Sequence, residues 1–144
     1  MFKKIVFPTD ITPFSESAFG TAAELARSHG ASLHILYVLP DLGYGMVSQY
    51  VPEDIAEKIE RDARAQLHAY IAAHDMRGLT YEVALRTGII YEQIVDYAQQ
   101  LGADLIVLAG HNRSTLGRFV LGSNAERVVR HAHCAVMVLR PVTL

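Results

Sequence analysis

The chain has 144 residues, of which 51% are hydrophobic and 19% charged, with a formal net charge of −2 and one cysteine. That composition is globular and leaves no lysine-arginine cluster for a nucleic-acid surface, and the apolar runs fall short of the ~20 residues a membrane span needs. The lone Cys134 rules out an internal disulfide and fits a reducing compartment, so one cytoplasmic domain over 1–144 is the expectation.

Lys4-Ile5-Val6-Phe7-Pro8 is β-rich and halts at Pro8-Thr9-Asp10, which predicts a strand entering a turn and leaves no signal-peptide core. Ser15 to His29 places Ala18, Phe19, Ala22, Leu25 and Ala26 at helical spacing, with Gly30 as the stop. Ser32 to Leu39 predicts a second strand, and Pro40 to Pro52, with Gly43-Tyr44-Gly45 inside it, a long irregular loop. A long charged helix is expected over 53–74, with Ile55, Ile59, Ala63, Leu67, Tyr70 and Ile71 as its apolar stripe. Glu57-Arg61 and Glu60-Arg64 read as ion pairs on its solvated face. Thr80 to Arg86 follows as strand three, Ile89 to Leu101 as helix three, with Ile90, Ile94, Val95, Tyr97 and Ala98 inward or partly so, and Asp104 to Ala109 as strand four. Helix four is expected over 125–131 and strand five over 135–140.

Strands alternating with helices specify an α/β fold built on a mainly parallel sheet, and continuously apolar strands agree with a sheet covered on both faces. Ligands of such doubly wound sheets bind beyond the C-terminal strand ends, where the winding reverses. Here Pro8-Thr9-Asp10 follows strand one, and Gly110-His111-Asn112-Arg113-Ser114 follows strand four, with Leu121-Gly122-Ser123-Asn124 at the mouth of helix four. A glycine at a strand end admits close backbone approach, and a helix mouth offers unpaired N–H groups and a positive dipole end. Phosphate binding and a plain surface loop both fit that spacing.

These segments resemble the universal stress protein family. Lys4 to Asp10 with the Ser-Glu-Ser-Ala that follows resembles its opening, Gly102 to Gly110 its fourth strand, and Leu121 to Ala132 with Cys134 to Val138 its last helix and strand. The resemblance covers essentially the whole chain. It implies a doubly wound five-stranded parallel sheet in the order 3-2-1-4-5, of the adenine nucleotide alpha hydrolase-like type, and dimers joined through the last strand. The family's nucleotide motif is G-x2-G-x9-G-(S/T). In this chain Gly110 and Gly122-Ser123 match it, Arg113 stands where the middle glycine would be, and the interval is one residue short. That pattern is closer to a branch that carries G-S-H-R-P there and still binds ATP, with guanidinium charge in place of close backbone approach.

Carried over residue by residue, the resemblance implies that Pro8, Thr9 and Asp10 line the adenosine side, with Asp10 accepting from ribose hydroxyls. Val38 would wall the adenine. Gly110, His111 and Arg113 would approach ribose and phosphates, and Gly122, Ser123 and Asn124 would present donors to them. Alternatively, Asp10 caps the following helix and Val38 is simply core. The implied ligand is ATP or a related adenine nucleotide, with Mg2+ a candidate companion of its phosphates. A homodimer is expected along Val136-Met137-Val138-Leu139, with a transporter or regulator as a candidate protein partner.

No dedicated base is placed to activate water, which favours a nucleotide-sensing binding module over an enzyme; a slow ATPase switch and a nucleotide-free interaction protein are the alternatives. His131-Ala132-His133-Cys134 invites a metal reading, but histidines at i,i+2 do not share a helix face and no second ligand pair stands nearby. Walker, Gly-x-Ser-x-Gly, His-Glu-x-x-His and Gly-x-Gly-x-x-Gly patterns are absent, which removes P-loop, hydrolase, zinc-protease and dinucleotide-dependent oxidoreductase readings.

Overall fold

The computed structural model describes residues 1–41, 52–110 and 121–140. Its strands are β1 (Lys4–Thr9), β2 (Ser32–Pro40), β3 (Thr80–Gly88), β4 (Leu105–Ala109) and β5 (Ala135–Leu139). The helices are α1 (Glu16–His29), α2 (Glu53–Ala72), α3 (Ile90–Leu101) and α4 (Ser123–His131), and a 3-10 turn at Pro13–Ser15 leads into α1. All strands are parallel, in the order β3-β2-β1-β4-β5, as the resemblance implies.

Strand alternation divides the core between the two faces of the sheet. Ile5, Phe7, Leu33, Ile35 and Val107 pack with α1 and the C-terminal half of α2, while Val6, Leu36, Ile106 and Leu108 pack with α3 and α4. On the first face Phe19 meets Phe7 edge to face at 5.8 Å and Tyr70 at 6.0 Å, a geometry that suits ring quadrupoles. His74 spans the α1–α2 seam, its Nδ1 on the Tyr70 carbonyl at 2.5 Å and its Nε2 on the Glu16 carboxylate at 2.6 Å. Gly30 ends α1 at φ 63°, a left-handed cap that glycine adopts without a Cβ clash.

Several boundaries and faces differ from the sequence reading. The second helix stops at Ala72, and Ile55 stands exposed, because only Ala63, Leu67 and Tyr70 of α2 are buried. The third strand runs on to Gly88, yet Tyr81 and Val83 remain exposed, since β3 is a sheet edge. The fourth helix begins at Ser123, two residues before the expected start, with Gly122 as its cap. Of the two expected helix pairs, Glu60–Arg64 forms at 2.9 Å. The segment Gly43-Tyr44-Gly45 lies outside the described residues.

His34 is the buried titratable group of β2, with Nε2 2.9 Å from Ser32 Oγ and Nδ1 3.5 Å from the exposed Glu82 carboxylate. Burial lowers its pKa below the ordinary 6.5, the Glu82 charge offsets part of that shift, and Lys4 adds to it. The unfolded chain therefore takes up a proton that the folded chain refuses, so stability falls as pH drops through 6.5 towards the folded pKa. Thermal melts between pH 7.5 and 5 should show a shallower decline for His34→Gln than for the wild type, whereas parallel curves would remove His34 as the cause.

Candidate functional site

The strands around the switch point part company at their C-terminal ends. Pairing between β1 and β4 is confined to Ile5↔Leu105 and Val6↔Ile106, although the strands continue to Thr9 and Ala109. The gap opens a cavity of about 480 Å³, within the usual range for small-molecule sites. Its walls come from the ends of β1, β2 and β4, from the first turns of α3 and α4, and from Ser15.

The β1 end is a tightly bonded turn. Thr9 is buried, and its Oγ1 accepts the Ile11 N–H at 3.0 Å and lies 3.2 Å from Ser15 Oγ. Asp10 Oδ1 accepts from the Thr12 N–H at 2.9 Å and from the Thr12 hydroxyl. This closes an Asx turn, so Asp10 does not cap α1; Ser15 holds that position and makes no side-chain cap bond. Ile11 sits at φ 63°, a left-handed conformation that crowds a β-branched side chain and is held here by the bonds on either side.

At the α4 end the first helical hydrogen bond runs from the Glu126 N–H to the Gly122 carbonyl at 2.9 Å. The preceding N–H groups, from Ser123 to Ala125, thus have no partner within the helix and stand at its positive end. Gly122 has ordinary extended angles, φ −63° and ψ 158°, and a Cβ placed there would meet nothing within 4 Å among the described residues outside its own helix and chain neighbours. Neither backbone conformation nor packing against the described residues requires glycine at this position.

The structure brings Pro8, Thr9, Asp10, Val38, Gly122, Ser123 and Asn124 around one cavity. Gly110 follows the cavity-lining Ala109 but is itself buried, and its N–H donates to the Leu139 carbonyl at 2.7 Å. His111 and Arg113 lie outside the described residues. Sequence reasoning missed Ser15, Ile90 and Ile94 as cavity residues. Ile90 and Ile94, at i,i+4 on α3, carry the same signal as any core stripe, and only the docking of α3 against β2 shows that one end of that stripe meets a cavity. Among the described residues no cluster of His, Cys, Asp or Glu could hold a metal, and His131 instead stacks 5.6 Å from the Tyr91 ring.

These features define a doubly wound α/β domain with a crevice of mixed apolar and polar lining at its switch point. The chain belongs to the universal stress protein family, whose model matches residues 1–140. It is 30% identical over 141 residues to a universal stress protein of Methanocaldococcus jannaschii, covering 97% of this chain and 83% of that protein. Among solved structures, universal stress protein UspA of Lactobacillus plantarum superposes with a TM-score of 0.70 at 30% identity, covering 96% of this chain and 98% of that one. The universal stress protein of Archaeoglobus fulgidus, in complex with dAMP, superposes with a TM-score of 0.66 at 25% identity, covering 95% and 97%. Among the described residues no helix is long and apolar enough to cross a membrane.

Proposed function

We propose that this chain is an adenine-nucleotide-binding regulatory module, with ATP as its ligand and the switch-point cavity as its site. The observation that carries this reading is the mixed lining of that cavity. Pro8, Leu36, Val38, Ile90, Ile94 and Leu108 contribute apolar wall, and the N-terminal turn of α4 contributes Ser123 and Asn124. A planar base suits the apolar wall, and an anion suits the helix N-terminus. Thr9 and Asp10 line the same cavity, and within this reading they meet the ribose. The dAMP held by the Archaeoglobus fulgidus relative supports the same ligand class.

Within this reading Gly110, His111 and Arg113 approach the ribose and phosphates, and Arg113 supplies the cationic contact to the phosphates. Mg2+ would accompany the phosphates rather than occupy a protein cage. Calorimetric titration with ATP and with adenosine tests both the ligand and the division of labour. Arg113→Ala should weaken ATP by about 1.5–3 kcal/mol and leave adenosine unchanged. Equal weakening of both ligands would show that Arg113 does not serve the phosphates, and no binding of either to the wild type would remove the nucleotide reading.

We also propose that the chain pairs with a second copy along β5. The Gly110 N–H bonds the Leu139 carbonyl, so the backbone groups of Leu139 and Met137 face β4, while those of Val136 and Val138 face the open edge. An apolar edge strand with unpaired N–H and C=O groups invites another strand, and a two-fold axis makes that pairing self-complementary.

A further inference from the structure

The hydrogen bonds of the α1–α2 seam demand an extra proton. His74 lies just past the C-terminal end of α2, between the Phe19 and Tyr70 rings at 4.4 and 4.2 Å, and its side chain is 11% exposed. Its Nδ1 meets the Tyr70 carbonyl and its Nε2 meets the Glu16 carboxylate. A carbonyl and an ionised carboxylate only accept, so both ring nitrogens must donate. A neutral imidazole has one N–H, and this arrangement therefore holds one proton more than neutral histidine beside an ionised carboxylate supplies. The helix ends favour placing that proton on the ring. His74 stands at the negative end of α2, and Glu16 is the first residue of α1, at its positive end. Glu16 is half-exposed and gives the proton a path to water.

We propose that His74 and Glu16 form a proton-operated latch that docks the C-terminal half of α2 on α1, closed when the imidazolium forms and open when it loses its proton. In the open state Nε2 turns a lone pair toward the Glu16 carboxylate, and attraction gives way to repulsion. The latch matters because α2 has few other fastenings. Only Ala63, Leu67 and Tyr70 of the helix are buried. Arg27 of α1 donates to the Asp75 and Arg77 carbonyls at 2.7 and 2.9 Å, and a guanidinium keeps its charge at every working pH. Opening therefore loosens α2 without releasing the chain beyond it. The other ionisable groups around His74 are Tyr70 of α2 and Asp75, whose carboxylate is bonded to the Arg77 guanidinium. Glu16 directly follows the cavity residue Ser15, so the latch adds a proton-dependent hold at the end of α1 that borders the site.

The test is hydrogen–deuterium exchange of backbone amides at pH 6 and pH 9, corrected for intrinsic exchange rates. Protection over 63–73 is expressed relative to β1 and β4 of the same protein. In the wild type that ratio should fall about three- to tenfold from pH 6 to pH 9, the worth of one hydrogen bond to a half-exposed partner. Glu16→Gln should remove the pH dependence, because an amide accepts from the imidazolium and donates to the neutral ring. At pH 9 the α2 of Glu16→Gln should be better protected than that of the wild type. His74→Phe keeps an aromatic ring between Phe19 and Tyr70 and loses both polar contacts, so its protection should also stay level with pH. Wild-type protection that does not change with pH, or the same fall in Glu16→Gln, would overturn the latch. The measurement needs no nucleotide, so its outcome is independent of the ligand reading above.

Discussion

Gly122→Val should abolish tight nucleotide binding while leaving the fold intact. Both halves of that expectation come from the same position. The backbone angles of Gly122 are available to any residue, and a Cβ there meets nothing within 4 Å among the described residues. The substitution therefore neither strains the backbone nor collides with the described residues. The valine methyls instead enter the open space at the cavity wall beside the first N–H groups of α4, where an anion must come close. Loss of that charge-assisted contact should cost about 1.5–3 kcal/mol, on the order of 10- to 150-fold in affinity. Gly122→Ala, with a single methyl, should fall between. Melting temperatures within a degree or two of the wild type, together with the affinity loss, would establish that glycine is there for the ligand. Unchanged ATP affinity in Gly122→Val would show that the α4 N-terminus is not the phosphate site.

Val138→Pro should convert a dimer into a monomer. Proline removes one N–H, and at Val138 that N–H points to the open edge rather than to β4. The β4–β5 ladder keeps its hydrogen bonds, so the sheet should survive while pairing with a second copy is lost. The neighbouring Met137→Pro is the contrasting variant, because the Met137 N–H faces β4 and its loss should destabilise the monomer. Light scattering at micromolar concentration reads the first effect, and thermal melting reads the second. A monomeric wild type, or a dimeric Val138→Pro, would contradict edge pairing through β5.

The sequence made the fold legible because its signals were redundant. The run Ile5 to Phe7 and the run Leu105 to Ala109 are apolar without alternation, and both lie at the covered centre of a parallel sheet. Edges were harder to read. Tyr81 and Val83 carry the residue types of a buried strand yet stand exposed, because β propensity does not distinguish an edge from a centre. The same limit applies to Ile55, whose helical spacing matches the buried stripe although α2 meets the core only from Ala63 onward.

At the site, glycines and strand-end polar residues were informative because their chemistry is unusual in its context. Pro8, Thr9 and Asp10 and the Gly122-Ser123-Asn124 segment converge on one cavity. Asp10 was only partly legible, since its bonds to Thr12 depend on the local turn that Ile11 and Pro13 shape. Ser15 carried no such signal. A serine ahead of a helix reads as a cap, so its contact with the Thr9 hydroxyl emerges only once β1 and α1 are packed.

The central claim is that the cavity at the switch point holds an adenine nucleotide. Its most direct test is mass spectrometry of the gently purified wild-type protein before and after addition of ATP, first under native conditions and then after denaturation to identify what is released. The account predicts a mass increment of one nucleotide per chain and recovery of an adenine nucleotide on denaturation, with neither in Gly122→Val. No bound nucleotide before addition, no increment after it, and no rise in melting temperature with ATP at ~1 mM would contradict it.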